Sequence, residues 1–264
     1  MPFPSVQLER RSIYPAIRCR DNGVRQRTGG YFVLPQGICE IFAVDNNRME
    51  LPSVSHEMQQ TGFSGLIRKV EAFGASDVIF DLDGTLIDSA PGIVGTINHA
   101  LASLGIAPVR LVDHSIVGPP IESMFDLLLE EHDREHRDDL IDRYKRYYDH
   151  EGYRESTVFD GVSETMSTLE RMGVGMHIAT NKRLAPTMSI LSYFGWEDNF
   201  SSVYAVDSHG TRFASKADML AKAIENQALE KDRVLYVGDT KHDEEAAAAN
   251  DIGYYHAFWG YEHQ

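Results

Sequence analysis

Asp81 and Asp83 stand two residues apart in the stretch Asp77-Val78-Ile79-Phe80-Asp81-Leu82-Asp83-Gly84-Thr85, directly after an apolar run. Val78, Ile79 and Phe80 predict a short buried strand, and Gly84 breaks it. The two carboxylates therefore fall where a strand gives way to a loop, the end of an open α/β sheet that carries chemistry. Such a pair can hold a divalent metal, divide the work of nucleophile and acid, or cap a turn. Other strand ends add to it. A predicted strand over Val174–Ala179 leads into Thr180 and Asn181, a hydroxyl and backbone N–H groups suited to phosphate oxygens. A strand at Val234–Val237 leads into Asp239 and Asp243, four residues apart. Lys216, at a predicted helix start, supplies a point positive charge. Four carboxylates and one lysine at strand ends are what a Mg²⁺-dependent phosphoryl transfer needs, because the hard cation takes oxygen ligands and bridges to phosphate.

The elements that must position these groups follow from the apolar patterning. Residues 1–30 are rich in arginine and turn formers, and short strands are predicted at Tyr31–Leu34, Ile38–Val44 and Met49–Leu51. Leu66, Ile67, Val70 and Phe73 recur at helical spacing up to Gly74. After the Asp81 strand, Pro91 marks a helix start with Ser89 as its cap, and amphipathic helices continue to about residue 158. Strand and helix then alternate, as in a parallel sheet: a helix capped by Asp160 runs to Met172, and helices follow at Ala185–Phe194, Ala217–Asn226 and Glu244–Asn250. Strands are expected at Ser202–Val206 and Gly253–Phe258. The division is an N-terminal extension over 1–75 and an α/β domain over 76–264, with a helical insert at about 92–158. The fold class is a doubly wound, Rossmann-like α/β sheet.

Composition narrows the function. The chain has 264 residues, 42% of them hydrophobic and 25% charged, which suits a globular protein with a sizeable core. The net charge of −15 argues against a nucleic-acid-binding surface. Residues 1–76 carry nine Arg/Lys against seven Asp/Glu, so the acidity is concentrated in the remainder. An anionic substrate there needs a metal and well-placed lysines. No apolar run reaches the roughly 20 residues of a membrane span, and no secretory signal is visible, so a cytoplasmic protein is expected. Cys19 and Cys39 are too few for a disulfide framework or a zinc cluster. His132 and His136 lie at i, i+4, but the acidic residues around them point to a solvated helix face. Tyr144, Tyr147 and Tyr148 fit the packing of an amphipathic helix better than base stacking. Lys182 is open between phosphate neighbour and surface charge, and Gly118-Pro119-Pro120 between substrate entrance and rigid turn.

Asp81-Leu82-Asp83-Gly84-Thr85, Thr180, Lys216, and Gly238-Asp239 with Asp243, in that order, resemble the four motifs of the haloacid dehalogenase superfamily of phosphohydrolases. The match covers about residues 77–264. The helical insert resembles the C1-type cap, and Ile116–Ile121 with Gly238–Asp243 look closest to the phosphoglycolate-phosphatase-like branch. The resemblance implies that Asp81 is a nucleophile forming an aspartyl-phosphate, and that Asp83 protonates the leaving alcohol and then activates water. It implies Mg²⁺ held by Asp81, Asp239, Asp243 and the Asp83 backbone carbonyl. Thr180, Asn181 and Lys216 would hold the phosphoryl oxygens. Dehalogenases of the superfamily lack an acid at the Asp83 position, so phosphate esters are the expected substrates. The implied substrate is a small phosphorylated metabolite, phosphoglycolate-like, a sugar phosphate or a nucleotide. A β-phosphoglucomutase-like phosphomutase shares all four motifs and differs in cap control over water. A binding or regulatory protein acting through residues 1–75, as a homodimer or with a protein partner, is the alternative from another class.

Overall fold

The structure is a computed structural model, and it describes residues 30–34, 37–41, 62–109, 117, 119–208, 210 and 212–261. The chain divides into two units, Met1–Ser53 and Val54–Gln264. In the first, strands β1 (Gly30–Leu34) and β2 (Gly37–Ile41) pair antiparallel, with Phe32 opposite Cys39. The third short strand expected near Met49 and the Arg-rich segment lie outside the described residues, as does Cys19.

The second unit is built on a five-stranded parallel sheet. Its strands are β3 (Asp77–Phe80), β6 (Gly175–Thr180), β7 (Ser202–Ala205), β8 (Val234–Gly238) and β9 (Gly253–His256). The spatial order is β7-β6-β3-β8-β9, which makes the Asp81 strand the centre. The chain builds outward from β3 on one side and then crosses to the other, so the order reverses beside β3. Both faces of the strands are apolar, and the pleat divides them between two layers. Val78 and Phe80 enter a core with Leu66, Val70, Met166, Leu169 and Ile190. Ile79, one residue out of phase, enters the opposite core with Met219, Leu220, Ala223 and Ala247. Helices α1 (Phe63–Phe73), α5 (Val162–Met172) and α6 (Leu184–Phe194) supply the first layer. Helices α7 (Lys216–Gln227) and α8 (Lys241–Ala249) supply the second. Helix α1 thus belongs to the main unit, and the expected division at residue 75 passes C-terminal to it.

The helical insert is entered and left through a two-residue antiparallel pair, β4 (Ile87–Asp88) and β5 (Thr157–Val158). Helices α2 (Ala90–Ala102), α3 (Ile121–Leu128) and α4 (Arg137–Tyr148) lie between them around their own core of Ile97, Leu101, Phe125, Leu140 and Tyr144. Tyr144 and Tyr148 are buried and stacked with rings 5.3 Å apart, as amphipathic packing predicts. His132 is exposed beside Glu130 and Asp133. Two expected caps fail. Gly161, not Asp160, caps α5, because the turn needs φ = 93°. Ser89 occupies the N-cap of α2 without a side-chain capping bond, its hydroxyl being committed elsewhere.

Candidate active site

Register decides which polar groups meet. Phe80 pairs with Ile178 on β6 and with Val237 on β8, so the residues that follow all emerge at one edge of the sheet. The Asp81 amide still bonds to the Val237 carbonyl (2.9 Å), which fixes Asp81 at the rim. Asp81, Asp239 and Asp243 each bring a carboxylate oxygen within 4.8 Å of the others, and all three are buried. Gly84 allows this approach. It adopts φ = 80°, and a Cβ there would overlap the Asp239 carboxylate.

Lys216 enters from the first turn of α7, its ammonium 2.5 Å from Asp243 Oδ1 and 3.2 Å from Asp81 Oδ1. Asp243 is the third residue of α8 and closes a capping box with Thr240. Its Oδ2 accepts from the Thr240 amide (3.0 Å) and hydroxyl (2.7 Å), and its Oδ1 also accepts from Tyr236 (3.0 Å). Asp239 is held by the Tyr261 amide on Oδ2 (2.9 Å) and the Thr85 hydroxyl on Oδ1 (3.4 Å). Asp81 Oδ1 is buried with no oriented hydrogen bond despite the nearby ammonium.

These environments separate the carboxyl groups. Burial pushes Asp81 up to about 7; Lys216 opposes this, while Asp243, Asp239 and Asp83 add to it. Burial also raises Asp239, to about 6, against the Tyr261 amide. Asp243 is buried too, yet Lys216 and the Thr240 bonds hold it below the usual carboxylate range. Lys216 is raised well above an ordinary lysine, because Asp243 and Asp81 outweigh the effect of burial. A buried trio of carboxylates with one underused oxygen is a donor set for a hard divalent cation, and the residues fit Mg²⁺.

The Asp83 side chain is not in that trio. It accepts from Lys182 Nζ at 2.8 and 3.1 Å and from the Ser89 hydroxyl at 2.5 Å. Lys182 is neither a surface charge nor merely a phosphate neighbour: it is buried between Asp83 and the ring of Tyr148, 4.8 Å away on α4. Thr180, also buried, ends β6 with its hydroxyl accepting from the Lys182 amide (3.2 Å). Asn181 and Asp83 line a cleft of about 60 Å³, whose other wall includes Pro119, Pro120, Met124 and Tyr148 of the insert. The diproline thus faces the cleft and also starts α3. Arg183–Asp149 (3.0 Å) and Arg212–Glu122 (3.3 Å) tie the insert to the sheet domain across this cleft.

The seven candidate residues therefore cluster at one sheet edge. Sequence patterning did not assign Lys182, Ser89, Tyr236 or Tyr261 to the site. The Thr240-Lys241-His242-Asp243 spacing is a capping-box signal that foretells the Asp243 orientation. No local signal foretells Tyr261.

The sequence profile of haloacid dehalogenase-like hydrolases matches residues 78–256. The chain belongs to this family. It is 38% identical over 187 residues to the tyrosine-protein kinase PtkA of Mycobacterium tuberculosis, covering 70% of this chain and 62% of that protein. The chain thus spans less than two thirds of those mycobacterial relatives. It is 31% identical over 191 residues to the phosphoglycolate phosphatase of Cereibacter sphaeroides, covering 70% of this chain and 86% of that protein. The haloacid dehalogenase-like family protein SP0104 from Streptococcus pneumoniae superposes with a TM-score of 0.63 at 25% identity, over 71% of this chain and 86% of that one. The fold and family expected from the four motifs are those found, and relatives of the chain include proteins named phosphoglycolate phosphatase. Among the described residues, no helix is long and apolar enough to cross a membrane.

Proposed function

We propose that this chain is a phosphatase that hydrolyses a small phosphomonoester through an aspartyl-phosphate on Asp81, with Mg²⁺ bound beside it. The observation that carries the reading is the buried trio of Asp81, Asp239 and Asp243 with Lys216 set between two of its members. Asp81 and Asp239 would ligate the cation directly together with the Asp83 backbone carbonyl. Asp243, whose two oxygens are already occupied, would act through water. Bound there, Mg²⁺ supplies positive charge against the phosphoryl oxygens.

The protein's own groups supply the rest. An Asp81 oxygen attacks phosphorus, and the ester P–O bond breaks as Asp83 gives its proton to the departing alkoxide. Asp83, now a carboxylate beside Lys182, takes a proton from water. The resulting hydroxide attacks the acyl phosphate, releasing inorganic phosphate and restoring Asp81. Lys216 balances the negative charge that builds on the equatorial oxygens, with the Thr180 hydroxyl and Asn181 N–H as hydrogen-bond donors. The cleft walled by the insert favours a small alcohol moiety. Asp81→Asn should abolish p-nitrophenyl phosphate hydrolysis, and EDTA should do the same to the unaltered chain. Substantial turnover surviving either treatment overturns the mechanism.

A second reading is favoured by the 38% identity to a protein named a tyrosine kinase. The same aspartyl-phosphate would form from ATP and pass its phosphoryl group to a phenol instead of water. Incubation with γ-phosphate-labelled ATP separates the two: label on tyrosine supports phosphotransfer, and label only in free phosphate supports hydrolysis.

A further inference from the structure

We infer that Tyr261 is a positioning residue, whose hydroxyl fixes the backbone at Ser89 so that the Ser89 hydroxyl can hold Asp83. The inference rests on the reading of Asp83 as proton donor and acceptor. Ser89 stands at the N-cap of α2, the place where a serine ordinarily caps its own helix. Here its hydroxyl donates to Asp83 Oδ1 instead, at 2.5 Å. The buried Ser89 and Ala90 amides, which a Ser89 side chain could not cap in any case, need acceptors of their own, because an unpaired buried N–H is costly.

Tyr261 supplies one from 172 positions away. Its hydroxyl oxygen accepts from the Ser89 amide (2.8 Å) and the Ala90 amide (3.2 Å), and its proton goes to Asp88 Oδ1 (3.0 Å). These bonds fall on three consecutive residues where the insert begins, and the same phenol oxygen lies 3.5 Å from the Ser89 hydroxyl. Asp88 Oδ1 also accepts from the Ala90 amide at 3.0 Å, which closes the network.

The other end of the residue is equally fixed. The Tyr261 amide donates to Asp239, and the Trp259 indole donates to the Thr85 carbonyl (2.8 Å). Gly260 lies so near Asp239 and the Gly84 carbonyl that a Cβ there would overlap both. Residues 259–261 are therefore seated on the catalytic loop, and the phenol reaches from there to the hinge of the insert. Tyr261 thus joins the metal-binding carboxylate, through its amide, to the hinge of the insert and, by way of Ser89, to the proton carrier.

The test is a double-mutant cycle on the full chain, with saturating Mg²⁺ and p-nitrophenyl phosphate. Ser89→Ala should lower kcat about tenfold by freeing Asp83, with KM within about threefold. Tyr261→Phe, which keeps the amide on Asp239, should lower kcat by a similar factor and leave the Mg²⁺ concentration for half-activity within twofold. Tyr261→Phe added to Ser89→Ala should cost nothing further, since both act through one contact. Multiplying losses, a loss confined to KM, or unchanged kcat in Tyr261→Phe overturns the inference. Asp83→Asn is the control: if it keeps kcat within threefold of the unaltered chain, the acid–base reading itself has failed.

Discussion

Lys216→Met removes the cation that lies between two buried carboxylates while keeping most of the side chain's volume. Its ammonium is 2.5 Å from Asp243 and 3.2 Å from Asp81, and its side chain is only 8% exposed. At an effective dielectric of about 20, a pair 3.2 Å apart attracts by about 5 kcal/mol. Part of that offsets the desolvation of the ammonium, so the net cost of deleting one partner of a buried pair is about 3–5 kcal/mol. The two acids do not suffer alike. Asp243 keeps its bonds from Thr240 and Tyr236, whereas Asp81 Oδ1 is left with no compensating group. Asp81, already raised to about 7 by burial, would rise further. A carboxyl group raised in the folded state binds more protons folded than unfolded, so its contribution to stability falls as pH rises through the folded pKa. The cost of Lys216→Met should therefore be greatest at pH 8 and shrink toward pH 5.5, where Asp81 is protonated. Urea unfolding in EDTA at the two pH values measures it. A cost below about 1 kcal/mol at pH 8, or an equal cost at both pH values, refutes the reasoning. Turnover should fall by about 10²–10³-fold, the usual scale for losing a group that stabilises developing charge.

Further expectations follow from the same geometry. Mg²⁺ affinity should increase as pH rises through about 6 to 7, because protons on Asp239 and Asp81 compete with the cation, and calorimetry at pH 6 and 8 in two buffers would show protons released on binding. Gly260→Ala should cost about 1–3 kcal/mol in thermal or urea unfolding and most of the activity, since the new methyl meets the Asp239 Cβ and the Gly84 backbone rather than a movable chain end. Arg183→Gln cuts one of the two ion pairs that tie the insert to the sheet domain, and should raise KM severalfold with a smaller change in kcat, read from steady-state kinetics. Removing residues 1–61 leaves α1 with Leu66 and Val70 in the core, so p-nitrophenyl phosphate turnover should persist; loss of association in light scattering would identify the removed segment as a docking arm.

How far the sequence foretold this structure depends on how local each signal was. Val78, Ile79 and Phe80 announce a strand apolar on both faces, and such a strand belongs in the middle of a parallel sheet. Asp81, Thr180, Lys216 and Asp239 follow from that, since each lies within a residue or two of a strand end or helix start. Ser89 was misread for a physical reason. A serine before a proline-marked helix start is an ordinary cap, and only the fold shows that Asp83 competes for its hydroxyl and that Tyr261 holds the amides of Ser89 and Ala90. Lys182 was undecidable in sequence because a lysine after a strand is common on surfaces; its burial depends on α4 bringing Tyr148 over it. Asp160 misled because an acceptor side chain matters less there than the left-handed backbone of Gly161. Cap signals compete over distances of one residue, and the tertiary partners that settle the competition lie far away in the chain.

The charge balance of the assembled site connects these observations to the proposed chemistry. Asp81, Asp83, Asp239 and Asp243 would carry four negative charges if all were ionised, and Lys182 and Lys216 return two. Two negative charges remain, in a place where burial makes them expensive. They are not spread evenly. Asp83 is matched by Lys182 and Asp243 by Lys216, which leaves Asp81 and Asp239 as the two acids raised to about 7 and about 6. Protons on those two neutralise the excess without a metal, and one divalent cation neutralises it with the protons gone. The second condition leaves Asp81 free to attack as a carboxylate; Asp83 must in addition hold a proton once substrate is bound, since it is the acid that protonates the leaving group. Replacing Asp239 by asparagine should then do more than weaken metal binding. It removes one of the two excess charges and so should lower the Asp81 pKa in part, burial remaining its largest cause, and leave an Asp81 that is more readily ionised but poorly activated. A titration of Asp81 by NMR in Asp239→Asn, falling below its value in the unaltered metal-free chain, is the expected result; an unchanged value would mean that the Asp239 charge does not act on Asp81.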